Sequence, residues 1–282
     1  MSILKKAAII LAAALALAGA AACSHKRSND KPVYSVSYPI QKTLLHAIVG
    51  DNAEINTLIP AGTNPETYDP SMSTLVSLEN SDAYFRLNTP GFEEAIMAKS
   101  GNGIQTVDCS RGIKTINGTH GAGHADPHVW TSVKNAQIIA DNIFRNLKPE
   151  SAEDAETYKR NYQKLKGLLK ATDDSIAGIL AESKGKAFAV MHPSLSYFAR
   201  DYGLRQVAME TDGKEASPRQ LAERMEKARK LKAKVLIHDR EHSPAQAKNV
   251  AEQLGLKLII ISLNGNDWRK EMMKTAHAIA DN

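Results

Sequence analysis

Cysteine is the first scarcity in this 282-residue chain, which has only Cys23 and Cys109. With Cys23 taken up by the N-terminal segment described below, Cys109 has no partner. An internal disulfide is then excluded, and the fold must stand on its core. Cys109 reads as a small buried hydrophobe rather than a thiolate. Aromatic residues are also sparse, at 5%, and no basic stripe is interleaved with them, which excludes a nucleic-acid partner. The formal charge of +5 is weak, and Lys5 and Lys6 near the N-terminus supply two of those charges. HExxH is missing, and no base is paired with an obvious nucleophile, so the best-known zinc hydrolase signature is absent. What remains is an ordinary globular composition, long enough for one large or two medium domains.

The N-terminus carries a short positive segment, MSILKK, then the apolar run AAIILAAALALAGA, then small residues ending at Cys23. The run is short for a membrane span, and the polar stretch SHKRSNDKP follows at once. A cysteine directly after small residues resembles a bacterial lipoprotein signal, although Ala20 stands where leucine is commonest. Residues 1–22 are thus expected to be a signal peptide, with lipid on Cys23 as the membrane anchor and residues 23–31 as a flexible tether. The expected location is the periplasmic or cell-surface face.

Beyond the tether, short apolar runs alternate with helical patterns. VYSVSYPI, AEINTLIP, AYFRLN and IQTVDCS read as strands, separated by QKTLLHAIVG, SMSTLVSLEN and FEEAIMAKS as helices. After a polar loop and a helix over 132–147, the stretch 151–183 reads as one long helix opened by Ser151 and Asp154. At 1.5 Å per residue it would span about 50 Å and bridge two lobes. KAFAVMH, LRQVAME, AKVLIHDR and LKLIIIS then alternate with further helices. The expected fold class is α/β, with two similar parallel-sheet lobes joined by one long helix. The expected boundaries are 32–147 for the first lobe, 148–183 for the linking helix and 184–282 for the second lobe.

Open parallel sheets bind ligands at the carboxyl ends of their strands. Glu66 follows AEINTLIP. His192 ends KAFAVMH. His238, Asp239, Glu241 and His242 follow AKVLI, and His128 precedes a helix. Imidazole nitrogen suits zinc, copper, iron and nickel, while carboxylate suits harder cations. Pro127 and Pro193 stiffen the backbone beside His128 and His192. In THGAGHADPHVW, His120 and His124 share a loop with His128, readable either as a metal-delivering loop or as a solvated one. His238 and His242 read as accessory donors or, in preference, as surface residues.

PAGTNPETYDP, DPHVW, MHPSLSYFARDYGL and the closing Asp-Trp helix together resemble the zinc- and manganese-binding substrate-binding proteins of ABC importers. The motifs occur in that family's order and cover nearly the whole chain after Cys23. The resemblance implies a metal site in the interlobe cleft with His128 and His192 as ligands, and an importer permease as partner to a monomeric, non-enzymatic receptor. Glu66 stands where the family commonly has a histidine. The family's late aspartate falls near Ser262, which has no carboxylate, leaving Glu241, Asp239 or water for the fourth ligand, with Glu241 favoured. The expected metal is Zn2+, with Mn2+ or Fe2+ as the alternative because Glu66 hardens the site. A metal-dependent hydrolase and a surface adhesin or metal buffer are the competing functional readings.

Overall fold

Short segments of three to five residues, each with at least one β-branched or aromatic side chain, form the strands. In the computed structural model, which describes residues 31–282 apart from 101–102, 118–124, 211–215 and 243, β1 (Val33–Val36), β2 (Glu54–Thr57), β3 (Ala83–Arg86) and β4 (Thr106–Asp108) form one parallel sheet in the order β2-β1-β3-β4. A second parallel sheet holds β5 (Ala187–Val190), β6 (Arg205–Ala208), β7 (Val235–Asp239) and β8 (Lys257–Ile261) in the order β6-β5-β7-β8. The two orders are the same in chain sequence, so the expected pair of similar α/β lobes is what the chain builds. The leader, Cys23, the tether up to residue 30, and His120 and His124 lie outside the described residues. No helix among the described residues is long and apolar enough to cross a membrane.

The strands are shorter than their sequence patterns. Pro39 opens α1 (Pro39–Val49) instead of ending β1, because its fixed φ suits a first helical turn. Leu58 and Ile59 stay buried and still donate to the carbonyls of Val36 and Ser37 at 2.9 and 3.0 Å, but the chain has left the ladder. The remaining first-lobe helices are α2 (Met72–Glu79), α3 (Phe92–Lys99) and α4 (Val133–Asn146).

The linking helix α5 runs from Ala152 to Ile179, 28 residues, and a short 3-10 turn at Ala181–Ser183 follows it. Its length is therefore about 42 Å rather than the 50 Å expected. Ser151 caps it, accepting from the Asp154 amide at 3.0 Å. Its buried stripe is Tyr158, Tyr162, Leu165, Leu169, Thr172 and Ile176, spaced alternately by four and three. Tyr and Thr hide this stripe from a hydropathy count. The stripe packs on α1 and α4 of the first lobe and on α9 (Trp268–Ala280) of the second. Tyr162 stacks on Phe144 at 4.2 Å, and the Tyr202 hydroxyl donates to Asp173 at 2.8 Å, so the helix is fastened to both lobes. Residues 32–282 accordingly form one compact unit. The second lobe also carries α6 (Ser196–Tyr202), α7 (Pro218–Lys230) and α8 (Ala247–Leu254). Cys109 is fully buried and unpaired, and burial pushes its thiol well above the usual range, as expected of a core residue.

Candidate metal centre

In each sheet the strand order reverses beside the first strand, so the crevice at the carboxyl ends opens between β1 and β3 and between β5 and β7. Glu66, His128 and His192 meet between these two ends.

Glu66 comes from the loop after β2. Its amide donates to the Asn64 side chain at 2.8 Å, an Asx turn. The same loop is tied to the second lobe, with the Gly62 amide on the Asn264 carbonyl at 3.0 Å and the Asn264 side chain donating to Thr63 at 2.9 Å. Gly62 takes φ +77°, a conformation that a side chain would strain.

His128 is held by its own neighbour. The Asp126 carboxylate accepts the His128 amide at 2.9 Å and faces its Nδ1 at 2.8 Å. Burial opposes Asp126 ionisation, but the His128 hydrogen bond and charge outweigh it and hold the carboxyl below its ordinary value. The Asp126 carbonyl accepts from Tyr197 at 2.7 Å. Two residues on, Trp130 stacks on Tyr38 at 4.2 Å, and its carbonyl accepts the Trp268 indole at 2.8 Å. The DPHVW and Asp-Trp motifs are thereby joined in space.

His192 follows β5 and is 1% exposed. Its Nε2 lies 3.2 Å from His128 Nε2 and 3.2 Å from Glu66 Oε1, and His128 Nε2 to Glu66 Oε1 is 3.8 Å. Ligand atoms around a tetrahedral zinc, at about 2.0–2.1 Å from the ion, lie about 3.3 Å apart. The triangle of donors is close to that spacing. His192 Nδ1 faces Glu210 Oε2 at 3.5 Å. Both imidazoles therefore turn Nε2 inward and rest Nδ1 against a carboxylate, the arrangement that fixes a metal-ligating tautomer. Burial disfavours a His192 cation, but Glu210 and Glu66 overcome it and push the imidazole up to about 9. A cavity of about 210 Å³, bordered by Tyr38, Phe92, Trp130, Glu66 and His128, adjoins the cluster.

The other expected residues fall differently. Among the described residues, the donors that converge are Glu66, His128 and His192 and, as a second group, His192, Glu210 and His242. Glu241, the favoured fourth ligand, belongs to neither group. Its carboxylate accepts the Ser262 hydroxyl and pairs with Asp239. Burial, reinforced by Glu241, drives Asp239 well above the usual carboxyl range. Asp239 also accepts the Leu263 amide at 3.3 Å, a structural role. His238 and His242 are not surface residues. His238 is 1% exposed. His242 is half-buried, with its ring stacked on His192 at 4.2 Å. Glu210 was missed because it closes the LRQVAME run and reads there as part of a strand. The strand-end rule that found His192 would have found it.

Fold and site together define a two-lobed α/β protein with a histidine–carboxylate cluster of metal-ligand type between its lobes. The model of the family described as zinc-uptake complex component A, periplasmic (ZnuA), matches residues 35–281, and the chain belongs to that family. It is 28% identical over 92% of its length to the zinc-binding lipoprotein AdcA of Streptococcus pneumoniae serotype 4. It spans about half, 55%, of the length of that relative. It is also 26% identical to the manganese ABC transporter substrate-binding lipoprotein PsaA of Streptococcus pneumoniae, covering 88% of it. A crystal structure of ZnuA superposes with a TM-score of 0.82 and 26% identity, covering 89% of this chain and 99% of that one.

Proposed function

We propose that this chain is a substrate-binding protein that captures a divalent transition-metal ion, zinc first, and delivers it to an ABC importer. The observation that carries the reading is the triangle of His128 Nε2, His192 Nε2 and Glu66 Oε1 at near-tetrahedral spacing. Two imidazoles and one carboxylate suit zinc, and solvent from the adjoining cavity supplies a fourth donor. Membership of an uptake family weighs against the hydrolase reading. Lipid on Cys23 anchors the receptor, in keeping with the lipoprotein names of the streptococcal relatives.

Manganese is the second reading. Glu66 hardens the donor set relative to a third imidazole, and one relative is named a manganese receptor. Elemental analysis of chain lacking residues 1–22, purified without added metal or histidine tags, separates the two. Zinc should be the metal carried, and manganese carried in its place overturns the zinc assignment. Zinc binding undiminished in His128→Ala/His192→Ala would sink the cleft site itself.

A further inference from the structure

His192 has a second set of donors on its other side. Its Nδ1 faces Glu210 Oε2 at 3.5 Å, and ligand atoms of His192, Glu210 and His242 all lie within 4.8 Å of one another. Orienting His192 needs only one carboxylate, as Asp126 shows for His128. That role does not require the additional imidazole, His242, which is stacked on His192 at 4.2 Å with the planes 21° apart and has its Nδ1 3.4 Å from the Asn64 side-chain nitrogen. These three residues follow β5, β6 and β7, so all belong to the second lobe. The Glu66–His128–His192 group, by contrast, draws donors from both lobes.

We propose that Glu210, His192 and His242 form a second divalent-metal seat, carried by the C-terminal lobe alone, from which the ion passes across the His192 imidazole into the cleft. The proposal goes beyond the cleft site and rests on it only for the shared His192. A neutral imidazole ligates through one nitrogen at a time, so the two seats are alternatives and the chain holds one ion. The donor distances exceed the roughly 3.3 Å edge of a tetrahedral site. The Glu210 side chain and the His242 ring must therefore turn inward around the ion. These are side-chain rotations, and they leave in place the backbone hydrogen bonds of Glu210 to Met191 at 2.9 Å and of His242 to Asp239 at 3.0 Å. A seat on one lobe can keep its ion while the lobes part, and a seat shared between lobes cannot. The triad is thus suited to first capture and the cleft to retention.

The test uses Co2+ absorption and Zn2+ calorimetry on the chain from Cys23 onward, with circular dichroism to verify each fold. Glu66→Ala/His128→Ala removes both first-lobe donors and should still take up about one Co2+ per chain, more weakly than wild type. Adding either His242→Ala or Glu210→Ala to that variant should abolish the remaining uptake. The proposal is overturned if the folded double variant takes up no Co2+ while wild type does, or if its uptake survives both additions. If the double variant binds as tightly as wild type and His242→Ala alone abolishes binding, the triad stands as the principal site. In that case the cleft reading is the one that fails.

Discussion

The two lobes share a strand order and differ in what fills the crevice it creates. In the first lobe the crevice is closed by a buried hydrogen-bond network. Glu93, 0% exposed, accepts the Leu87 amide at 2.9 Å and the Thr89 amide at 2.9 Å, together with the Ser37 hydroxyl. Burial holds its carboxyl above the ordinary value. Gln41 accepts the Ser37 and Tyr38 amides from below at 3.1 and 3.0 Å. In the second lobe the corresponding strand ends carry His192, Glu210 and His242, beside an Asp239–Glu241 pair already engaged with Ser262 and Leu263. The first lobe spends its polar groups on one another and lends the cleft two side chains from loops, Glu66 and His128. The second offers titratable groups directly. One topology can therefore serve as a fixed wall or as a donor surface, depending on whether its strand-end polar groups are already satisfied.

Breaking the wall should have the largest effect. Glu93→Ala strands three buried donors, at about 1–3 kcal/mol each, and is expected to destabilise the fold by roughly 3 kcal/mol or more. Denaturant unfolding measures it, and a loss below about 1 kcal/mol would show that the network is not a structural wall.

The donor side is addressed by pH. His192 stands at about 9 in the metal-free protein and must lose its proton to ligate through Nε2. Apparent metal affinity should then rise about tenfold per pH unit toward 9 and flatten above it. Calorimetry in buffers of different ionisation heat should detect about one proton released per ion at pH 7. An affinity flat from pH 7 to 9 would refute this. Stability of the metal-free chain has two windows. The raised His192 value contributes stability that is full below the ordinary 6.5 and is lost as pH rises through about 9. His242, pushed down to about 4 by burial and by the His192 charge, contributes stability that is full above 6.5 and is lost as pH falls through about 4.

The supporting carboxylates sharpen the comparison further. Asp126→Asn keeps the shape beside His128 but not the charge, and should weaken metal binding by about 10–100-fold, read by competition with a chelator dye. No change would mean that the backbone alone orients His128. The smallest effect is expected at Cys109. Cys109→Ala removes one buried sulfur, costing about 1 kcal/mol, and should leave metal affinity unchanged in the same titration.

Much of this was legible in the chain. Two parallel-sheet lobes followed from alternating short apolar runs. His192 stood out by its strand end, and both His128 and His192 by flanking prolines and by the motifs that resemble the importer receptors. Glu66 was singled out by its position in the loop after β2. What escaped were relations that depend on side-chain direction. Glu241 and His242 are neighbours on one loop, yet one turns to Ser262 and the other onto His192. Their spacing carries no sign of that choice, which is set by the proximity of β8 on one side and β5 on the other. The buried stripe of α5 was obscured for a different reason, since Tyr158, Tyr162 and Thr172 bury their surface without registering as apolar.

The indole of Trp268 bears on how the cleft is braced. It donates to the carbonyl of Trp130, two residues from His128, and it opens α9. The loop that carries His128 is thus fastened from the other lobe, by a residue 138 positions further along the sequence. A first lobe folded by itself would present Glu66 and His128 without this fastening. The rigidity of a short loop is therefore a property of the whole two-lobed body and not of the loop's own sequence.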